Sequence, residues 1–534
     1  MTSVTSMTLV PSMAVAAIVF EEQPPVVASA PNRADIACFV GFIGRRRTPV
    51  PDSLRRWLFE QGWGPLPDSS PSYDPLLDVP VPIESWELFD RLFAWDQRPV
   101  DSAGSRLVST YLGAAVRSFF FQGGRKCYVV RAGDPWPLTT ARATRIAALT
   151  KLLPGYPQVF DASPVDRTTW HGAGHLFGLP DVSFLCLPDL ADAVAVDAQP
   201  VVPLPAPPPG PEQWVECSPA EPAAPADRAV RGLRAPRCDE QGYDDWASAV
   251  RLIADLLARS LREVQLVAAV PLPVAGGAAE RDLLAFLGRR DGGPLTARPS
   301  AQLTGVASAF VQLAYPWART LGSGGLPEQL ESPEGVLAGV LARTVLAQGA
   351  FRSAAGAQLG DVYDLFPLLR RDQVYTAHPD TRDERASSHS LVERVSLFGR
   401  TPAGLVLLSD VTASLDESYR PAGVNRLVSA IVRAARRLGE AAVFEASSER
   451  LWMRLRDSLS GLLGALLRTG ALQGATPAEA FDVACDRSTM SQSDLDNGRV
   501  VARVRFRAAL PIEQITVALA LEQGGQVSLL APAA

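Results

Sequence analysis

Lysine is nearly absent from this sequence: of its 51 basic residues, only Lys126 and Lys151 are lysines. Neither is preceded by the G-x-x-x-x-G of a phosphate-binding loop, which argues against ATP-driven work by this chain. No uninterrupted apolar run reaches the ~18 residues needed to cross a bilayer, so a membrane-embedded chain is not expected. With a net charge of −6, the sequence also has no basic footprint typical of nucleic-acid-binding proteins.

Cysteine is scarce as well, and its six copies are scattered without a C-x-x-C pair. This spacing predicts reduced thiols in a cytosolic product. The apolar stretch 13–20 (MAVAAIVF) has no basic residue before it and is followed by Glu21 and Glu22, unlike a secretory signal peptide. The cysteines are Cys38, Cys127, Cys186, Cys217, Cys238 and Cys485.

Catalytic motifs are missing too. His171-Gly-Ala-Gly-His175 has histidines at i and i+4, but its two glycines disfavour a helix and no Glu completes H-E-x-x-H, so we interpret it as a Gly-rich surface loop. There is no G-x-S-x-G elbow, and His378 and His389 lie in a polar stretch. We therefore predict a non-enzyme with no catalytic, cofactor-binding or metal site; a degenerate α/β hydrolase is the less favoured alternative.

The 534 residues are 47% hydrophobic and 20% charged, which is typical of a globular chain with several cores. Strand-like and helix-like segments alternate from residue 36 onward, which predicts an α/β fold class. A Pro-rich insertion at 199–242 is predicted to be exposed. The predicted units are an N-terminal extended arm (1–31), an N-terminal α/β region (32–180), a central or outer α/β domain (181–390), a C-terminal inner α+β domain (391–510) and a C-terminal arm (511–534).

The C-terminal part of the chain carries the clearest periodicity. Apolar residues at helical spacing predict amphipathic helices over 424–438 and 448–468, the second ending near Gly470. Thr476-Pro-Ala-Glu479 fits a capping box that opens a further helix. Alternating residues then predict strands over 500–508 and 515–521, and Gly524-Gly525 predicts a turn into 527–530.

Taken as strings, several segments resemble contractile tail sheath proteins, the family found in phage tails, R-type pyocins and extracellular contractile injection systems. The C-terminal stretch 424–486 resembles the family's C-terminal domain. The other segments follow in the family's order: ADIACFVGFIGR (34–45), IESWELFDRLFAW (83–95), YLGAAVRSFFFQGGRKCYVVRAG (111–133), FVQLAYPWAR (310–319) and SPEGVLAGVLARTVLAQGAFRSAAGAQL (332–359). From residue 34 to residue 486, these segments span most of the chain.

The resemblance implies a structural protein whose central region has a subtilisin-like fold without its chemistry. Subunits would form stacked six-fold rings around an inner tube, and contraction would drive the tube forward. Terminal arms would add strands to a neighbour's C-terminal sheet. The residues expected to carry this strand exchange are Val15, Ile18, Val19 and Phe20 in the N-terminal arm and Ile515, Val517, Leu519 and Leu521 in the C-terminal one; pairing within the same subunit is the alternative.

Arg426, Arg433 and Arg437 lie opposite the apolar stripe of the first C-terminal helix. They are predicted to contact the inner tube or a neighbouring subunit, with a solvated helix face as the alternative. Expected partners are further copies of the chain, an inner tube protein, and baseplate and cap proteins. The resemblance implies assembly in the bacterial cytoplasm and a place in a virion tail or injection particle. A specialised sheath paralogue and a non-contracting baseplate or adaptor protein stay open.

Overall fold

The computed structural model describes residues 33–63, 76–104, 106–198, 233–277, 283, 306–376, 390–442, 445, 447–509, 515–521 and 527–530. The predicted N-terminal arm with Val15, Ile18, Val19 and Phe20, and residues 199–232 of the Pro-rich insertion, lie outside the described residues. The rest of the predicted insertion, 233–242, is not an exposed linker: it contains the strand Arg237–Cys238 and the start of the helix Glu240–Ser260, and Ala235 and Cys238 are buried. Among the described helices, none combines the length and apolarity needed to span a bilayer.

Strands and helices alternate through most of the chain. The strands are β1 (Ala37–Phe42), β2 (Gly44–Arg45), β3 (Pro80–Ile83), β4 (Phe93–Ala94), β5 (Arg98–Pro99), β6 (Leu107–Val108), β7 (Cys127–Gly133), β8 (Phe184–Cys186), β9 (Arg237–Cys238), β10 (Gln265–Ala269), β11 (Leu272–Pro273), β12 (Val311–Tyr315), β13 (Trp317–Thr320), β14 (Val362–Phe366), β15 (Ser396–Thr401), β16 (Gly404–Leu407), β17 (Phe481–Ala484), β18 (Val500–Phe506), β19 (Ile515–Leu521) and β20 (Val527–Leu530). The helices are α1 (Asp52–Glu60), α2 (Trp86–Leu92), α3 (Tyr111–Phe121), α4 (Arg142–Leu152), α5 (Leu190–Val194), α6 (Glu240–Ser260), α7 (Glu334–Gln348), α8 (Arg371–Tyr375), α9 (Ala422–Glu440), α10 (Glu449–Arg468), α11 (Pro477–Ala480) and α12 (Gln492–Asp496).

Eight strands form one large sheet in the order β16-β15-β12-β10-β8-β1-β7-β3. The six inner strands run parallel, while β3 and β16 pair antiparallel at the two edges. The inner strands are buried on both faces, except for the second half of β15, because helices cover both sides of the sheet. One core lies under α4 and α6 and the other under α1, α3 and α7. The predicted α/β class is confirmed; the subtilisin-like comparison stays a prediction.

Two glycines let α7 lie directly against α3. A Cβ on Gly335 would meet the carbonyl oxygen and Cα of Ala115 at 2.1 and 2.5 Å, and one on Gly339 would meet the carbonyl oxygen of Phe119 at 2.6 Å. Helix backbones approach this closely only where one of them lacks side chains. The glycines in the segment 332–359 are therefore packing residues.

The large sheet crosses the predicted boundary at 180. β1 and β7 precede this boundary and β8 follows it, yet β1 pairs in parallel with both. β15 and β16, which we assigned to the C-terminal domain, pair with each other, and β15 also pairs with β12. Residues 33–407 thus contribute to one sheet-centred unit, because parallel pairing joins segments that lie far apart in the sequence.

The C-terminal unit is a four-stranded antiparallel sheet, β17-β18-β19-β20, with α9 and α10 on one face. Helix α10 begins at the N-cap Ser448 and ends before Gly470, whose φ of +76° is the left-handed conformation expected there. The helix predicted from Thr476 ends after four residues, and Phe481–Ala484 is a strand that we did not predict. Thr476 makes no side-chain cap bond, although the Glu479 carboxylate accepts from the Ala475 N–H at 2.9 Å.

Candidate assembly site: the C-terminal sheet and its arginine joint

The two faces of the C-terminal sheet differ in chemistry. On β18, Val504 and Phe506 are 0% and 1% exposed and pack into the core formed with α9 and α10. Arg503 and Arg505 alternate with them, and with Arg507 just beyond the strand they are exposed on the opposite face. Strand alternation thus produces an apolar inner face and an open face with a row of arginines. None of these three arginines has an ion pair within the described residues.

The predicted C-terminal exchange strand is β19. It contains Ile515, Val517, Leu519 and Leu521 and pairs along its whole length with β18 of the same chain, with Val504 opposite Val517. β20 pairs in turn with β19, so β17 and β20 are the edges of this sheet. In the single chain these strands pair internally, and their exchange between subunits stays a prediction.

Arg426, predicted to contact a tube or neighbour, is instead 3% exposed and bonded inside the chain. Its Nη1 and Nη2 donate to Asp410 Oδ1 and Oδ2 at 3.1 and 2.6 Å. It also donates to the carbonyl oxygens of Ala350 and Arg352 at 3.1 and 2.9 Å. Burial opposes ionisation of Asp410, but the Arg426 charge and its hydrogen bonds hold the pKa of that carboxyl below its ordinary value.

Arg433 is also buried, at 3% exposure, and its four Nη protons are used inside the chain. Nη1 donates to the Arg33 carbonyl and to Ser183 Oγ at 3.0 Å, while Nη2 donates to the carbonyls of Val182 and Glu263 at 2.7 and 3.3 Å. Burial lowers the pKa of Arg433 from its ordinary value. The surface position predicted for Arg426 and Arg433 is therefore wrong for the single chain, since both are buried and bonded to its own interior, although Arg433 Nε has no hydrogen-bond partner among the described residues.

Arg436 completes the set, which we call the arginine joint: Arg426, Arg433 and Arg436. Its guanidinium pairs with the Glu263 carboxylate, whose side chain is 2% exposed. The arginine joint fastens α9 to the large α/β unit while the opposite face of α9 packs on the C-terminal sheet. In the sequence, arginines opposite an apolar stripe are compatible both with a solvated helix face and with a buried polar contact. The sequence pattern therefore did not identify Arg436. Arg437 is half-buried, its side chain has no hydrogen-bond or ion-pair partner among the described residues, and it stays a surface candidate.

The His171–His175 segment is not the surface loop that we predicted. Gly172–Gly178 is a 3-10 helix whose first part, Gly172 to Leu176, is buried. Both imidazoles bond to one carboxylate: His171 Nδ1 lies 2.7 Å from Asp78 Oδ2 and His175 Nε2 lies 3.1 Å from Asp78 Oδ1. Burial opposes ionisation of Asp78, but hydrogen bonds from His175, the Gly172 N–H and His171 lower its pKa. Within the described residues, no group of three or more His, Cys, Asp and Glu side chains is arranged to hold a metal ion.

The described cysteines are buried and free of disulfides: Cys38, Cys127, Cys186, Cys238 and Cys485. Burial raises the pKa of each of these thiols, which disfavours the reactive thiolate. They fill the core as small apolar groups; Cys217 lies outside the described residues.

No protein-family model and no curated protein matches the sequence. Solved structures do match. The chain is similar to a chain of the anti-feeding prophage baseplate, 6-fold symmetrised, with a TM-score of 0.53, 18% identity and coverage of 96% of this chain and 98% of that one. For the same baseplate in its contracted state the TM-score is 0.55, with 17% identity and coverage of 94% and 97%. For the anti-feeding prophage helical sheath in the contracted state the TM-score is 0.49, with 18% identity and coverage of 96% of this chain and 98% of that one.

The two likenesses with TM-scores of 0.53 and 0.55 show the fold, over nearly the whole length of both chains. The chain shares its α/β fold with a chain of the anti-feeding prophage baseplate. The resemblance to contractile tail sheath proteins, drawn from motifs spread along the sequence, is confirmed at the level of the fold.

Proposed function

We propose that this chain is a structural sheath subunit of a contractile tail or contractile injection system. In this proposal, copies stack as six-fold rings around an inner tube, meet a baseplate and a cap at the two ends, and contract to drive the tube into a target. The observation that carries the proposal is the likeness in fold to a component of a contractile particle over 96% of the chain. The sequence motifs that resemble contractile tail sheath proteins support a sheath subunit among the components of such a particle.

The proposed linkage between subunits is strand exchange at the C-terminal sheet. β19 and β20 lie at the end of the described chain and occupy one side of this sheet. A hairpin at a chain end is the element most readily donated to an identical neighbour, since the acceptor strand β18 offers every copy the same hydrogen-bond register. The N-terminal residues Val15, Ile18, Val19 and Phe20 are proposed to add a further strand. Arms on both ends would join each subunit to several neighbours.

The energy for contraction is proposed to reside in the extended polymer. An extended sheath held by kinetic barriers releases free energy when subunits rearrange and gain new interface, so no nucleotide is needed. The exposed row Arg503, Arg505 and Arg507, together with Arg437, is proposed to contact the inner tube or a neighbouring copy. Assembly is proposed to take place in the bacterial cytoplasm.

Electron microscopy of the purified chain, alone and with the products of neighbouring genes, tests the proposal. Striated hollow tubes of uniform width are expected, and deletion of residues 1–27 should leave a folded monomer that forms no tubes. Monomers under every condition would overturn the sheath assignment. Normal tubes from the truncated chain would overturn the role of the N-terminal arm.

A cysteine cross-link tests the strand exchange itself. Arg503 on β18 lies opposite Ala518 on β19, and cross-strand neighbours have the Cα separation that a disulfide requires. Arg503→Cys and Ala518→Cys are placed on separate copies, which are mixed, assembled and oxidised. Covalent dimers are expected after assembly, because each copy carries one introduced thiol, whereas dispersed monomers should stay single. The control carries both substitutions in one chain; if only this control cross-links in assembled tubes, β19 pairs within its own subunit.

A specialised sheath paralogue or an adaptor beside the baseplate is the second candidate. It is favoured by one observation: the two structures compared above with TM-scores of 0.53 and 0.55 are baseplate assemblies. Such a protein would form rings of fixed size and would not extend into long tubes. The same micrographs therefore separate the two functions.

A further inference from the structure

Both ends of the described chain meet at one helix. Arg33, the first described residue, lies four positions before β1 and just after the predicted N-terminal arm. Its carbonyl accepts a hydrogen bond from Arg433 of α9. β19 and β20, which end the described chain, lie against the same helix. Helix α9 thus touches the root of the N-terminal arm on its arginine side and the last strands on its other side.

The contacts of Arg433 are suited to fixing that root. Three of its acceptors are carbonyls of residues that precede β1, β8 and β10, which are neighbours in the large sheet. One planar guanidinium therefore joins three chain segments to the helix. A rigid fork with several parallel donors holds its acceptors in a fixed geometry, whereas an ammonium binds them from a single point. Arg33 is held a second time through its own side chain, which donates to Asp35 at 2.9 and 2.6 Å.

The packing of α9 also supports a fixed attachment of the arm root to this helix. Leu427 and Ile431 of α9 are 2% and 1% exposed in the core beneath the C-terminal sheet, so the helix cannot shift without disturbing that sheet. Among the described residues, the Arg436 side chain bonds to the Glu263 carboxylate and makes no hydrogen bond to the arm root. Within the arginine joint, Arg433 therefore holds the arm root, whereas Arg426 and Arg436 join the two units through other residues.

We propose that α9 is the common mount of the two terminal arms and that Arg433 is the positioning residue that fixes the N-terminal arm to it. The proposal rests on the proposed sheath function. A pull on the N-terminal arm passes through Arg433 into α9 and from there into the C-terminal sheet, where the other arm is attached. Tension between rings is then carried by one helix, and the strands of the large sheet stay paired.

Hydrogen exchange on the dispersed monomer tests the anchor. Arg433→Lys, which keeps the charge, should speed amide exchange roughly tenfold in peptides covering residues 183–184, because the N–H groups of Ser183 and Phe184 donate to the Ile36 carbonyl and the Arg433 bonds that hold residues 33–36 in place are lost. Arg436→Lys, which weakens the joint without touching Arg33, should leave these peptides unchanged, as should the surface control Arg437→Lys. Equal acceleration by Arg433→Lys and Arg436→Lys, or none by Arg433→Lys, would overturn the anchor. Ser183→Ala, which removes one acceptor and keeps the arginine, is the milder variant for the case that Arg433→Lys does not fold; about threefold acceleration is expected.

Assembled tubes test the mount. Tubes of the Arg433→Lys variant should come apart at a lower urea concentration than Arg437→Lys tubes, and this difference should exceed the difference between the urea midpoints of the two dispersed monomers. Equal resistance of the two kinds of tube would refute the mount even if the anchor is present. Absence of tubes from the unmodified chain would instead overturn the proposed sheath function, and the mount with it, while the exchange experiment decides the anchor independently.

Discussion

Removing one partner of the buried pair Arg426–Asp410 should strongly destabilise the chain. Both side chains are almost inaccessible, at 3% and 0% exposure. In Arg426→Met the Asp410 carboxylate keeps its hydrogen bonds from Gln312 Nε2 and the Ala354 N–H, both at 2.8 Å, but loses its only bonded cation within the described residues. An uncompensated buried charge costs about 3–5 kcal/mol, so the free energy of unfolding should fall by that amount.

A double-mutant cycle separates the pair from its surroundings. Asp410→Asn alone leaves Arg426 buried without its counter-charge and should also cost about 3–5 kcal/mol. The variant carrying both substitutions should lose at least about 2 kcal/mol less than the sum of the single losses, because the second change removes the charge that the first left unpaired. Urea unfolding followed by tryptophan fluorescence and by far-UV circular dichroism measures all three variants. Coincidence of the two signals checks that one transition is observed.

An exposed pair on α6 supplies the control. Arg259 and Asp255 are 3.4 Å apart, with side chains 72% and 69% exposed. The same cycle there should give a coupling below about 0.5 kcal/mol, since water screens both charges. A loss below about 1 kcal/mol for Arg426→Met, or additive losses in the cycle, would refute the assignment of Arg426 to the interior joint.

Gly335→Ala should destabilise the chain by more than about 2 kcal/mol, because the new Cβ would overlap the Ala115 backbone. Gly461→Ala in α10 should instead stabilise it by about 0.5–1 kcal/mol, because no atom lies within 4 Å of the new Cβ and alanine favours the helix. Thermal melting measures both, and equal effects would contradict the close approach of α3 and α7. Burial raises the pKa of three carboxyl groups in the folded chain. Their protonated forms contribute fully to the free energy of unfolding below about pH 4, and this contribution is lost as the pH rises through 7–8. They are Asp189 (about 7), Glu331 (about 8) and Glu334 (about 7). The free energy of unfolding of the unmodified chain, measured by urea unfolding, should therefore be lower at pH 8 than at pH 5. In Glu331→Gln, the difference between the free energies at the two pH values should be smaller by about 2–4 kcal/mol. An unchanged pH dependence in Glu331→Gln would show that this carboxyl titrates alike in the folded and unfolded chain.

The sequence alone determined the elements whose signals are local. The helix over 448–468 was predicted from an apolar stripe and a terminal glycine, and the structure has it at Glu449–Arg468. The strands over 500–508 and 515–521 were predicted from alternation and are present as β18 and β19. Such patterns are legible because one face of each element meets a core and the other does not. The motif order likewise indicated the fold that the solved structures share.

Only the tertiary structure decided which segments pair and which charges are buried. β1 lies between β7 and β8 because a parallel sheet inserts strands without regard to their order in the chain, so a domain boundary drawn near 180 fell inside one sheet. Arg426 and Arg433 carry the same periodicity as solvated arginines, and their role depends on acceptors up to 400 positions away in the sequence. A helix with two packed faces, one apolar and one made of guanidiniums, has the sequence pattern of an amphipathic surface helix. The two kinds of helix differ in whether another part of the folded chain packs against the arginine face, and only the tertiary structure shows this.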